Sequence, residues 1–252
     1  MSGEFACRRF GTVSSYCLLV LALSISFLFA SQAEAAEEEE GFIPLFNGKT
    51  LEGWEGNFDI WSAQDGKIIG KSKIGGLNEN VFLCTTKRYE DFELRLDFLV
   101  VNGSGNTGVQ FRSERVPDST EVAGYQADIG TVFWGSLYDE SRRNHILNCP
   151  DPEGVNALLR EMKVEMLIED PTPSPDLEAF KAALKEDGWN SYVIRAEGDR
   201  ITLKINGYTT ATYREKDRQY VKPGIIGLQI HSGGEVEVQF RDLRIKELTT
   251  KD

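Results

Sequence analysis

The chain has 252 residues, 40% of them hydrophobic and 27% charged, which excludes a disordered polymer and a membrane-spanning bundle. Its length suits one all-β or α/β domain whose core needs no metal or disulfide staple. Against 28 Lys and Arg stand 40 Asp and Glu, a net charge of −12 that repels phosphate backbones and anionic lipid heads. Composition therefore points away from nucleic-acid and membrane partners and toward a neutral, polar ligand.

Met1–Ala35 reads as a secretory signal peptide. Arg8 and Arg9 form its basic start, Cys17–Ala30 its apolar stretch, and Ala33-Glu34-Ala35 its small-x-small cleavage pattern. The expected destination is the periplasm or the extracellular space. Residues 36–41, with the run Glu37–Glu40, form an acidic spacer, and residues 42–248 form the domain. Cys7 and Cys17 leave with the leader, and Cys84 and Cys149 remain where disulfides are permitted. A domain of this size does not need them to pair. No Cys-x-x-Cys or His-x-x-x-His spacing suggests zinc, and no Gly-x-Ser-x-Gly elbow presents a nucleophilic serine.

From Gly41 the pattern is period-two alternation interrupted by Gly, Asn and Asp, the signature of strands and turns. The predicted strands are Phe42–Phe46, Lys67–Gly70, Val81–Thr85, Phe92–Val101, Gly108–Glu114 and Gly124–Ile129. After them come Tyr192–Glu197, Thr202–Ile205, Ile225–His231 and Val236–Glu247. Asn206-Gly207 is a hairpin signal. One region breaks the alternation. Val155, Leu158, Leu159 and Met162 fit a helix, and Ser174-Pro175 caps a second carrying Leu177, Phe180 and Leu184, ended by Gly188. The expected fold is all-β, an antiparallel β-sandwich or jelly roll with a small helical insertion around 150–188.

Alternation separates the two faces of three strands. Val109 and Phe111 oppose Gln110, Arg112 and Glu114; Tyr125, Ala127 and Ile129 oppose Gln126 and Asp128; Ile226, Leu228 and Ile230 oppose Gln229 and His231. A wetted sheet face is the plain reading. Forked and two-ended hydrogen-bonding groups beside the space left by Gly108 and Gly227 suit a polyhydroxylated ligand instead. Convergence of these seven polar side chains on one concave face is the expectation. Trp134 and Tyr138 follow the second strand and are candidates to stack on sugar rings, with Gly135 allowing close approach, although core filling is the commoner fate of a Trp. Trp54, Trp61 and Trp189 are assigned to the core.

Several segments resemble the 3-keto-disaccharide hydrolase domain family. They are Pro44-Leu-Phe-Asn-Gly-Lys-Thr-Leu-Glu-Gly-Trp54, Tyr89-Glu-Asp-Phe-Glu-Leu94, Gly105-Asn-Thr-Gly-Val-Gln-Phe-Arg112 and Gly124-Tyr-Gln-Ala-Asp128, followed by Trp189-Asn190, Asn206-Gly207, Gly227-Leu-Gln-Ile-His231 and Phe240-Arg-Asp-Leu-Arg-Ile245. The resemblance implies a concanavalin A-like jelly roll acting on glycosides whose C3 hydroxyl a separate sugar oxidoreductase has turned into a ketone. Members include hydrolases, lyases and hydratases.

A 3-ketone acidifies the C2–H, so elimination needs one base, one acid for the departing oxygen and a partner for the enolate oxygen. Among the polar residues His231 or Asp128 could be the base, Arg112 the enolate partner, and Glu114 or Tyr138 the acid. Gln110, Gln126 and Gln229 would hold sugar hydroxyls. No cofactor is identified; a divalent metal could replace Arg112, but His231 and Asp128 alone define no ligand set. A conventional glycosidase needs two carboxylates. The single-strand Glu-x-Asp-x-Glu arrangement is absent, and Glu93-Leu-Arg-Leu-Asp97 is its nearest approach, so elimination ranks first. The rival class is a non-catalytic lectin-like module.

Overall fold

Phe92–Val100 alternates strictly between buried and half-buried positions, as a strand packed on one face must. It lies at the centre of one of two sheets in the computed structural model, which describes residues 41–130 and 133–249. The predicted leader and nearly all of the acidic spacer fall outside the described residues.

In chain order the elements are β1 (Ile43–Pro44), β2 (Trp54–Glu55), β3 (Trp61–Gln64), β4 (Lys67–Lys71), β5 (Val81–Thr85), β6 (Phe92–Val100), β7 (Thr107–Arg115) and β8 (Val122–Ile129). Then come β9 (Leu137–Glu140), β10 (Ile146–Asn148), α1 (Pro152–Met162), β11 (Ile168–Asp170) and α2 (Leu177–Ala183). The chain closes with β12 (Asn190–Glu197), β13 (Arg200–Ile205), β14 (Tyr208–Arg214), β15 (Ile225–Ile230) and β16 (Glu237–Glu247). One sheet runs β14-β13-β12-β6-β16-β4-β3, with β1 on β16, and the other runs β11-β10-β9-β8-β7-β15-β5-β2. Pairing is antiparallel except between β10 and β11. This is the expected all-β jelly roll.

The inner faces meet in one core. Leu94, Phe98, Ile194 and Phe240 of the first sheet pack with Val109, Phe111, Ala127 and Leu228 of the second. Trp54 and Trp61 join it, but Trp189 is only half-buried and lies under the Arg241 guanidinium at 4.1 Å. Cys84 and Cys149 are both buried free thiols.

The insertion carries the two predicted helices, with a difference at the second. Ser174 does not cap α2, which starts after Asp176; the Ser174 hydroxyl donates to the Thr209 carbonyl at 2.5 Å and ties the turn to β14. The helix stops at Ala183, well before Gly188. Between the helices, Ile168–Asp170 pairs in parallel with β10, so the insertion extends the second sheet. Short β2, β3, β9, β10 and β11, and the hairpin partner β14, complete the sheets.

Candidate functional site

The second sheet places β8, β7 and β15 side by side, which aligns the polar faces read from the sequence. Gln110 registers with Gln126 and with Gly227, Gln126 with Tyr138, and Gly108 with Asp128. This face is not a wetted one. Gln110 and Gln229 are fully buried, and Gln126 and Asp128 nearly so. Glycine at 108 is required for it, since a Cβ there would lie 2.7 Å from Gln126 Cγ.

Burial forces these groups to satisfy one another. Ser113 Oγ donates to Gln110 Oε1 (2.8 Å), Gln110 Nε2 to Gln126 Oε1 (2.9 Å), and Gln126 Nε2 to Asp128 Oδ1 (2.7 Å). The chain of donors thus ends on a carboxyl. Burial holds the Asp128 carboxyl well above the usual carboxylate range; the Gln126 bond opposes the shift and the charge of Glu140 adds to it. Glu140, at the end of β9, is pushed up to about 7, first by burial and then by Glu121, against the opposing bond from Gln229 Nε2 at 3.5 Å. Tyr138 is raised by burial and by the neighbouring carboxylates, so it keeps its proton.

Gln126, Asp128, Tyr138, Glu140, Asn106 and His231 line one cavity of 230 Å³, whose opposite wall is Phe133, Leu159, Met162, Val164 and Met166. His231 Nδ1 lies 2.7 Å from the Ser232 carbonyl oxygen, a contact only an N–H can make. That proton on Nδ1 selects the tautomer in which Nε2 is the acceptor. Asn106 Oδ1 and Gln229 Oε1 are buried without a partner among the described residues, and of the two only Asn106 lines the cavity. A more open hollow of 420 Å³ over β13 and β14 is lined by Asp170, Arg200 and Tyr213 and holds none of these groups.

Five predicted site residues do not line this cavity: Gln110 and Gln229, fully buried in the polar network of the sheet, and Arg112, Glu114 and Trp134. Arg112 has φ +46 within a bulge where the β7–β8 register shifts between Phe111 and Glu114. The bulge reverses its facing, so Ser113 takes the place beside Gln110. The Arg112 guanidinium is fully buried; it binds Asp91 Oδ1 (2.6 Å) and the carbonyls of Glu90 (2.6 Å) and Gly198 (2.7 Å), joining β7 to the β12–β13 turn. Glu114 is exposed and paired with Arg88 and Lys222, each at 3.0 Å. Trp134 is buried and stacked on Phe98 with ring centroids 6.0 Å apart, so it fills the core and offers no sugar platform. Gly135, at φ +74, serves a turn against Thr210.

Sequence reasoning missed Glu140, Asn106 and the apolar wall. Glu140 carried a readable signal: in Leu137-Tyr-Asp-Glu140 it shares Tyr138's face. Asn106 carried none. Glu140 also supplies the second carboxyl that a conventional glycosidase needs, since Asp128 and Glu140 reach one cavity from different strands. Among the described residues no group of three or more His, Cys, Asp and Glu could hold a metal ion.

The architecture is a two-sheet jelly roll with polar groups buried on one sheet's outer face. The chain belongs to the 3-keto-alpha-glucoside-1,2-lyase-like domain family, whose profile matches residues 41–246. Among curated proteins no sequence matches it. Two solved candidate glycosyl hydrolases of Parabacteroides distasonis ATCC 8503 share the fold, both with a TM-score of 0.52. One is 18% identical (83% of this chain, 95% of the other), the second 21% identical (82% and 99%). The carbohydrate-binding module CBM66 of Bacillus subtilis also has a TM-score of 0.52, at 15% identity over 80% of this chain and 98% of its own. These likenesses are of fold; together with the family they support a function directed at carbohydrate.

Proposed function

We propose that the protein is an exported enzyme, with its domain spanning residues 42–248, that cleaves glycosides already oxidised to a ketone at C3. A separate sugar 3-oxidoreductase supplies that ketone. The observation that carries the reading is the meeting, in a chain of this family, of an imidazole with a free Nε2, two carboxyls shifted upward and a protonated phenol in one cavity.

His231 Nε2 takes the C2 proton, and the electron pair left behind forms the C2=C3 enolate. Neutral Asp128 and Tyr138 donate hydrogen bonds to the C3 oxygen, the role first given to Arg112. The electron pair then returns to re-form the C3 carbonyl, the C1–O bond breaks, and Glu140 gives its proton to the departing oxygen, the role first considered for Glu114. Water adding across the resulting C1=C2 bond completes a net hydrolysis. Gln126 lines the polar side of the cavity, braced from behind by Gln110, and Asn106 Oδ1 accepts from a sugar hydroxyl.

Turnover of a 3-keto-glucoside in deuterated water tests the reading. Deuterium at C2 of recovered substrate or product is expected, and His231→Ala lowers kcat by about 10²–10⁴-fold. Cleavage of a plain glucoside without C2 exchange would refute it in favour of direct displacement by Asp128 and Glu140. Sugar binding with no turnover of either compound would reassign the domain as a binding module.

A further inference from the structure

The cavity has two chemically distinct halves, and only one has a role so far. Its second half is built by the insertion. Asp151 caps α1 by accepting from the Gly154 N–H at 2.9 Å, and Val155 and Leu159 bury themselves against Ile146 and Cys149. Lys163, at φ +57, ends the helix and reverses the chain, with the Val164 N–H returning to the Leu159 carbonyl at 2.9 Å. The reversal sets Met162 and Val164 on the cavity wall with Phe133, Leu159 and Met166.

Met162 and Val164 are 55% and 40% exposed. Side chains there contribute little to the core, and a charged residue would serve a solvated surface better. The wall also offers no hydrogen-bonding side chain. A second sugar ring carries hydroxyls around its edge, and closing such a wall over them would strip their water without replacing it. Asp128, Glu140 and His231 share one cavity with these apolar residues, so a substituent held at C1 beside the reacting groups lies within reach of the wall.

We propose that this half is a subsite for an apolar aglycone, and that the preferred substrates are glycosides of phenols or alkyl alcohols rather than disaccharides. The inference rests on the reading of the protein as a glycoside-cleaving enzyme.

Calorimetric titration of the full chain carrying His231→Ala tests it, with methyl glucoside, phenyl glucoside and a glucose disaccharide, each plain and 3-keto. The phenyl compounds bind at least about tenfold tighter than their methyl counterparts, the discrimination a hydrophobic pocket makes on an added apolar group. Adding Met162→Glu, a change at an exposed position, removes that ratio, while Met162→Leu preserves it. Equal affinity for phenyl and methyl compounds, a disaccharide bound tightest, no binding of phenyl compounds, or a ratio indifferent to Met162→Glu overturns the proposal. A dimer that Met162→Glu dissolves would assign the wall to a protein contact and overturns it as well. Failure of the functional reading is distinguishable: 3-keto compounds would bind no better than plain ones while the phenyl-to-methyl ratio persisted.

Discussion

Glu140→Gln keeps the shape of the side chain and an acceptor for Gln229 while removing a titrating carboxyl, so it isolates one electrostatic effect. In the folded protein this carboxyl titrates at about 7 against an ordinary 4.5, with burial as the main cause and Glu121 next. The folded state therefore holds the proton more tightly than the unfolded chain. Below pH 4.5 both states are protonated and the site costs nothing. Between 4.5 and 7 the unfolded chain ionises first, so wild-type stability falls as pH rises, and above 7 the loss is complete. At 1.36 kcal/mol per pH unit the gap amounts to at most about 3 kcal/mol. Other carboxylates, including Glu93 and Glu215, are held low by Arg partners and slope the opposite way, so the informative quantity is the difference between variant and wild type. Urea unfolding at half-unit steps from pH 4.5 to 8 measures it. The variant should equal wild type at pH 4.5 and exceed it by up to about 3 kcal/mol at pH 8. A difference that stays constant across this range would refute the reasoning.

The remaining predictions separate structural from chemical roles. Arg112→Ala leaves Asp91 buried without its partner and should cost about 3–5 kcal/mol in denaturant unfolding; unaltered stability with lost turnover would return Arg112 to the active site. Trp134→Ala should cost about 3–5 kcal/mol and leave sugar affinity in the surviving folded fraction unchanged, as titration at low temperature would show. Burial pushes the Cys84 and Cys149 thiols up to about 11 and about 12, so a thiol reagent should find neither in the native protein at pH 8 and both after unfolding. With Glu140 as the acid, kcat/KM for a 3-keto-glucoside should fall as pH rises through about 7, and Glu140→Gln should abolish that limb.

Where burial follows strand parity, the sequence was a sufficient guide. The β6 alternation, the placing of Gln110 and Gln126 on the polar faces of their strands, and the Asn206-Gly207 hairpin all depend on local pattern. Arg112 was misread because one left-handed residue inverts parity, and nothing in Gln-Phe-Arg-Ser-Glu marks where a bulge falls. Trp134 was misread because its neighbour Phe98 belongs to the opposite sheet, a contact no local signal records. Glu140 obeyed the parity rule but sits on a strand of four residues, too short to stand out. The apolar wall was visible as a helical pattern, but where that helix would pack depends on the pairing of β10 with β11.

That pairing fixes both ends of the stretch that carries the apolar wall. Asn148 Nδ2 donates to the Asp170 and Thr172 carbonyls at 3.0 and 3.1 Å, and its Oδ1 accepts from the Thr212 N–H at 3.0 Å. One side chain thereby fastens both the return of the insertion and the neighbouring sheet. With β11 laid along β10, the segment from Asp151 to Ile168 is a loop whose two ends are anchored on one strand. Under the proposed function, the reacting groups and the wall that selects the leaving group therefore reside on separately mutable stretches of chain. Lengthening or replacing the residues between those anchors would change which leaving groups fit while the donor chain from Ser113 to Asp128 stays intact.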